Sequence, residues 1–281
     1  MRNELSKTSV KLAFAITVGA LISPAAQASS IIGGSTLLNS ASLSQLEGYL
    51  GEGQLDITNI FTKQAGSTAA DFHTAADGKG RTFSVLHVSG TEEFQDGSTT
   101  QFSNVIGGYN PQSWNSSNSY NFVSDPAQRT AFLFNLTDST FFKENTALDP
   151  TNGDTGSQQT YNSGFYGPTF GGGHDLHANF LLNGGYSYAY SYTNNADVPG
   201  FSLLLGLGGN PTFSNTGFFQ GFNIDDLEVF TIANSPEVSS VPLPAALPLM
   251  SSALGLFGLG AARRKNKSLA TLYCPNELAI N

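Results

Sequence analysis

The 281-residue chain contains one cysteine, Cys274, so no intramolecular disulfide can staple it. Methionine and tryptophan are nearly as scarce, with 2 and 1 copies, which leaves Phe, Leu, Ile, Val and Tyr to build a core. Only 12% of residues are charged against 40% hydrophobic, which excludes a disordered, self-solvating chain. Positive charge is scarcest where a domain would lie. Between Ser29 and Val241, five basic residues (Lys63, Lys79, Arg81, Arg129, Lys143) stand against nineteen acidic ones. A body this acidic repels phosphate and offers no basic stripe to release counterions, which excludes nucleic acid as a partner.

The other basic residues sit at the two ends. Arg2, Lys7 and Lys11 precede an apolar run from Leu12 to Ile22, too short to span a bilayer; Pro24 and Ala26-Gln27-Ala28 follow. The pattern predicts a signal peptide over 1–28, removed by signal peptidase after Ala28. At the other end a polar linker, 234–241, leads into Val241-Pro242-Leu243-Pro244-Ala245-Ala246. Leu243 to Ala262 carries no charge, and Arg263, Arg264, Lys265 and Lys267 follow. Such a run reaches about 30 Å as a helix, the thickness of a hydrocarbon core, with the basic cluster on the cytoplasmic side. A C-terminal transmembrane helix is expected, firm from about Pro248 because prolines 242, 244 and 248 keep the entry extended or kinked.

Together the proline motif, the Gly/Leu-rich span and the Arg263-Arg264 cluster resemble a PEP-CTERM sorting signal over 242–267. That resemblance implies a Gram-negative exporter, transient residence in the inner membrane, and an exosortase-like enzyme that cuts near the proline motif. The final location would be the cell envelope or outside the cell. The tail over 268–281 departs from the pattern, in which chains usually stop soon after the basic cluster.

Between the two addresses, 29–233 reads as one domain. Ser42 and Gln45 are spaced as a capping box for a helix over Ser42 to Leu50, with Leu43, Leu46 and Leu50 on one face. Ser67 to Asp71 offers a second cap before a short helix ended by Gly78. Strands are predicted at Thr82 to Val88, Gln101 to Ile106, Ala131 to Leu136, Ser187 to Tyr192 and Phe222 to Ile232, and a loop at Asp149 to Ser163. Helices and strands do not alternate, so a doubly wound parallel sheet is not expected.

Five segments carry a second resemblance, in order: Asp71 to Phe83, Ile106-Gly107-Gly108-Tyr109 with Trp114 five residues on, Ala131 to Thr137, Tyr166 to Leu176, and Asn223 to Phe230. They resemble the TLDc domain, found in eukaryotic oxidation-resistance proteins and in bacterial exported proteins, over about Ser35 to Ile232. The eleven residues Tyr166-Gly167-Pro168-Thr169-Phe170-Gly171-Gly172-Gly173-His174-Asp175-Leu176 are its most specific part. The resemblance implies an α+β, mainly β domain: a two-sheet antiparallel β-sandwich flanked by short helices. It brings no accepted catalytic residues and no cofactor. Arg81, where the family usually has Pro, and the Gly-, Tyr- and Asn-rich stretch from Ala178 to Phe219 depart from the pattern.

Structural roles are expected for the motif residues. Gly171, Gly172 and Gly173 would allow positive φ and close backbone approach, Asp175 would accept N–H bonds of that turn, and His174 would cap or bridge it. Asp71, His73 and Asp77, with Gly78 and Gly80, suit caps and turns. Two sharper readings compete. His174 and His177, with Asp175 or His73, have ligand chemistry for a metal-dependent hydrolase, although a tight Zn²⁺ site needs three or four fitted ligands. Trp114 and the many tyrosines would stack on an extracellular polysaccharide if exposed. No G-x-S-x-G elbow or Gly-Lys-Ser/Thr phosphate loop occurs, and Asp149 to Asp154 lacks the EF-hand pattern. The expectation is an exported, non-catalytic binding or structural module without metal or cofactor.

Overall fold

A computed structural model describes residues 28–93, 98–148, 153–194 and 220–234. The expected signal peptide (but for Ala28), the linker beyond Asn234, the sorting segment with its transmembrane helix, and the tail lie outside the described residues. No helix among the described residues is long and apolar enough to cross a membrane.

The strands are β1 (Ser30–Ile32), β2 (Leu55–Thr62), β3 (Thr82–Glu93), β4 (Thr99–Asn110), β5 (Ser119–Phe122), β6 (Phe132–Asn135), β7 (Thr140–Lys143), β8 (Gln158–Asn162), β9 (Thr169–Phe170), β10 (Leu176–Ala178), β11 (Gly184–Ser187) and β12 (Gln220–Asn234). Helix α1 (Ser40–Leu50) lies between β1 and β2, and α2 (Ala69–Ala76) between β2 and β3. Single 3₁₀ turns occupy Pro126–Gln128 and Thr155–Ser157.

Capping chemistry fixes both helices. Helix α1 begins two residues before its predicted start, because Asn39 and not Ser42 is the N-cap. Asn39 accepts the Ala41 and Ser42 N–H groups, and the Ser42 hydroxyl accepts the Asn39 N–H in return. Gly51, left-handed at φ 75°, closes the helix by donating to the Glu47 carbonyl. At α2 the predicted cap holds: Asp71 Oδ2 accepts both the backbone N–H and the hydroxyl of Thr68.

All twelve strands belong to one hydrogen-bonded sheet: ten form the path β5-β8-β9-β10-β11-β12-β3-β4-β6-β7, and off it β2 pairs with β12 and β1 with β2. Every pairing is antiparallel except β1 with β2. The mainly β, antiparallel expectation therefore holds, and the arrangement is consistent with a β-sandwich. The Phe170 ring of β9 lies against Gly108 of β4, where a Cβ would meet it at 2.6 Å.

Strand periodicity sorts the core into two clusters, one on each face of the central β3-β4-β12 sheet. Leu86 and Val88 of β3, Ile106 of β4, and Leu227 and Val229 of β12 join Phe72 of α2, Trp114, Phe170 and Leu176. On the opposite face Phe83, Val85, Tyr109, Phe132, Phe134, Phe230 and Ile232 pack on Leu43 and Leu46 of α1. Burying each large apolar side chain contributes roughly 1.5–3 kcal/mol. A bulge between Ile224 and Asp226 shifts the parity of β12, so Phe222 and Ile224 share a face with Leu227 and Val229.

Two further expectations are corrected. Gln158 to Asn162, predicted as loop, is strand β8, paired with β5. Ser187 to Tyr192, predicted as a strand, leaves the sheet at Ser187 because the N–H groups of residues 190–192 bond to a buried carboxylate.

Candidate functional site

The densest polar chemistry lies around the hairpin that joins β9 to β10, where Phe170 pairs with Leu176 and Thr169 with His177. Gly171 alone of the three consecutive glycines takes a left-handed φ, 79°. A Cβ there would also lie 1.9 Å from Asp175 Oδ2. Gly173 is instead required by space, since an added Cβ would sit 2.6 Å from Tyr190 Cβ, whereas at Gly172 it would meet the movable end of Gln158, 1.6 Å from Oε1. His174 shares the left-handed region at φ 56°. Gly167 and Pro168 are buried where the hairpin enters the core, and a Cβ on Gly167 would meet Leu182.

Asp175 is buried, and its carboxylate faces a neighbouring loop and not its own turn. Oδ1 accepts the N–H groups of Tyr190, Ser191 and Tyr192 at 2.7, 2.9 and 2.9 Å, and Oδ2 accepts Ser191 N–H at 3.0 Å. Burial raises its pKa to about 6, and those N–H bonds restrain the rise. The Ser191 hydroxyl extends the network, donating to the Thr155 carbonyl and accepting the Gly172 N–H.

On the opposite, outward side the registers align five strands. Tyr120 of β5 faces Tyr161 of β8; Thr169 of β9 faces His177 of β10; and His177 faces Tyr186 of β11. Thr160 pairs with Phe170, so Tyr161 and Thr169 are level and the five residues form one row across the strands. His174 lies over that row. Its ring stacks 5.4 Å from Tyr161 and 5.4 Å from His177, and Nδ1 hydrogen-bonds the Tyr186 hydroxyl at 2.8 Å. Tyr166 stands across the stack at 87° to His177.

Burial lowers the pKa of His174, and burial followed by repulsion from His174 brings His177 down to about 4. Burial, with Tyr166 and Tyr120 adding, raises Tyr186 to about 12. At neutral pH His177 is therefore neutral and Tyr186 keeps its proton.

A second cluster locks α2 in place. His73 Nδ1 meets Asp77 Oδ1 at 2.7 Å, and Nε2 faces the carbonyls of Ser163 and Tyr166 at 2.9 and 3.1 Å. Ser116 donates to Asp77 Oδ2. Gly78 and Gly80 make the turn that follows, bonding the Trp114 carbonyl and the Ser113 hydroxyl. Trp114 is 1% exposed, with its Nε1–H on Thr82 Oγ1 at 2.9 Å, so it packs the core and offers no face to a sugar. Gly107 and Gly108 admit the Phe134 and Phe170 rings.

The proposed ligand set is not assembled. Asp175 points inward while His174 and His177 lie on the outward row, and His73 is bonded elsewhere. No group of three or more His, Cys, Asp or Glu among the described residues is placed to hold a metal. Asp154, at the end of the acidic loop, is paired with Arg129 at 2.6 Å.

Sequence reasoning missed two arrangements. Ser103 Oγ lies 2.9 Å from His87 Nε2, with Asp226 and Asp225 at 3.7 and 3.8 Å from Nδ1. This resembles a relay in composition only, because both carboxylates are beyond hydrogen-bond reach of the imidazole. Glu144 is 2% exposed. Its Oε2 accepts from Ala131 N–H and Gln159 Nε2, while Oε1 has no hydrogen-bond partner. Burial raises its pKa to about 8, against the opposing pull of Gln159, the Ala131 N–H and Arg129.

The family profile of the TLDc domain matches residues 31–233, more than half of the chain, and the chain belongs to that family. No curated protein matches it.

Proposed function

We propose that this TLDc domain protein is exported and works as a non-catalytic binding or structural module of the cell envelope or extracellular matrix. In this reading signal peptidase removes residues 1–28, and an exosortase-type enzyme of a Gram-negative host releases the chain from the inner membrane near Pro242. The sequence features at the two ends support the itinerary. The observation that supports the non-catalytic half is the commitment of Asp175 to three backbone N–H groups. The motif residue with the most reactive potential is thereby a structural acceptor.

Expression in an exosortase-bearing Gram-negative host tests the proposal by intact mass and fractionation. The expected product begins at Ser29, ends near the proline motif and resides outside the cytoplasm. Deleting 242–267 should abolish the C-terminal cut. An unprocessed chain resident in the cytosol would refute the reading.

A further inference from the structure

The row on the outward side of β5, β8, β9, β10 and β11 bears directly on what such a module holds. Strands stand about 4.8 Å apart, so a row across five of them runs about 19 Å, long enough to lie along several sugar rings. Thr169 and His177 at its middle are buried, so the surface a ligand would meet there is the His174 ring stacked on His177, with Tyr161, Tyr166 and Tyr186 around it. Tyr120, Tyr161, Tyr166, His174 and Tyr186 are all half-buried: packed well enough to be rigid, open enough to touch a ligand. The His174 ring is stacked on both Tyr161 and His177. The hydroxyls of Tyr161, Tyr166 and Tyr190, the last in the loop after β11 beside Gly172 and Gly173, hydrogen-bond no other described residue. Phe122, 64% exposed and 5.9 Å from Tyr120, ends the row with a bare ring.

We propose that this row binds an uncharged polysaccharide, laid across the strands, with sugar hydroxyls meeting the tyrosine and histidine edges and a pyranose face resting on Phe122. The inference rests on the reading of the chain as an exported binding module and names its ligand class.

Three observations choose this occupant. No Asp, Glu, Lys or Arg lies in the row, and the surrounding body is strongly acidic, so a polyanionic glycan would be repelled. Protein-binding patches centre on desolvated aromatic and arginine anchors, whereas here the Tyr161 and Tyr166 hydroxyls hydrogen-bond no described residue, although those of Tyr120 and Tyr186 are held by the Gly172 carbonyl and His174. A tyrosine carries an apolar body with a polar end at low entropic cost, which suits a ligand that is apolar on its ring faces and hydroxylated at its rim.

Affinity electrophoresis of the purified chain tests the proposal, in gels containing a β-glucan, amylose, galactomannan or alginate. At least one neutral polymer should retard the chain, and alginate should not. The triple variant Y161F/Y166F/Y190F keeps every ring and removes three hydroxyls. It should melt as the parent does and lose at least tenfold in affinity, as should Phe122→Ala. Retardation by no neutral polymer, by alginate alone, or equally for parent and triple variant overturns the assignment. The gel result is independent of cellular location, so it can fail while export and trimming stand, and the reverse.

Discussion

The Asp175 carboxylate holds the Ser191 backbone N–H with both oxygens, at 2.9 and 3.0 Å, across sixteen residues of chain. One side chain thereby gives the loop after β11 the partners that a further strand would otherwise have supplied.

Asp175→Ala leaves three N–H groups without their acceptor, those of Ser191 and Tyr192 buried, and a buried unsatisfied N–H costs about 1–3 kcal/mol. A loss of about 3 kcal/mol or more is expected in urea unfolding at pH 7, with Asp175→Asn intermediate. A variant within about 1 kcal/mol of the parent would contradict this account.

The consecutive glycines should differ. Gly171→Ala combines left-handed strain of about 1–3 kcal/mol with displacement of the Asp175 carboxylate. Gly172→Ala meets only the end of the flexible Gln158 side chain at short range. Thermal melts should rank Gly171→Ala as clearly the more damaging, and the opposite order would show that space outweighs φ here.

Glu144 predicts an alkaline limb. Its folded pKa is raised from 4.5 to about 8, so the folded state binds more protons than the unfolded state between those values. Stability is therefore present at low pH and lost as pH rises through about 8, on the order of 3 kcal/mol between pH 6 and pH 9. Glu144→Gln should flatten that limb and be more stable than the parent at pH 9. Parallel pH profiles for the two proteins would rule the assignment out.

His177 acts with the opposite sign. Its folded pKa is depressed from 6.5 to about 4, so the unfolded state binds the extra proton in that window. Stability rises with pH from 4 to 6.5 and is lost on acidification, on the order of 3 kcal/mol. His177→Phe, which keeps a ring in the stack, should make the acid limb shallower. An unchanged slope would place the acid sensitivity elsewhere.

Local chemistry made much of this domain legible before its structure. The Ser67 to Asp71 segment announced α2, apolar runs and alternation announced β3, β4, β6 and β12, and the Tyr166 to Leu176 wording pointed to the family that matches. The same local reading misplaced the start of α1, where Asn39 competes as a cap, and extended a strand through Tyr188 to Tyr192 on periodicity alone.

What the sequence determined by itself was composition, caps and which residues alternate, because those depend on neighbours within a few positions. Tertiary structure decided that Tyr120, Tyr161, Thr169, His177 and Tyr186 stand in one row, that Asp175 faces the interior, and that Glu144 is buried with one oxygen unpaired. Each depends on the register of short strands far apart in the chain, which hydrogen-bond pairing and core packing fix only when the whole sheet assembles.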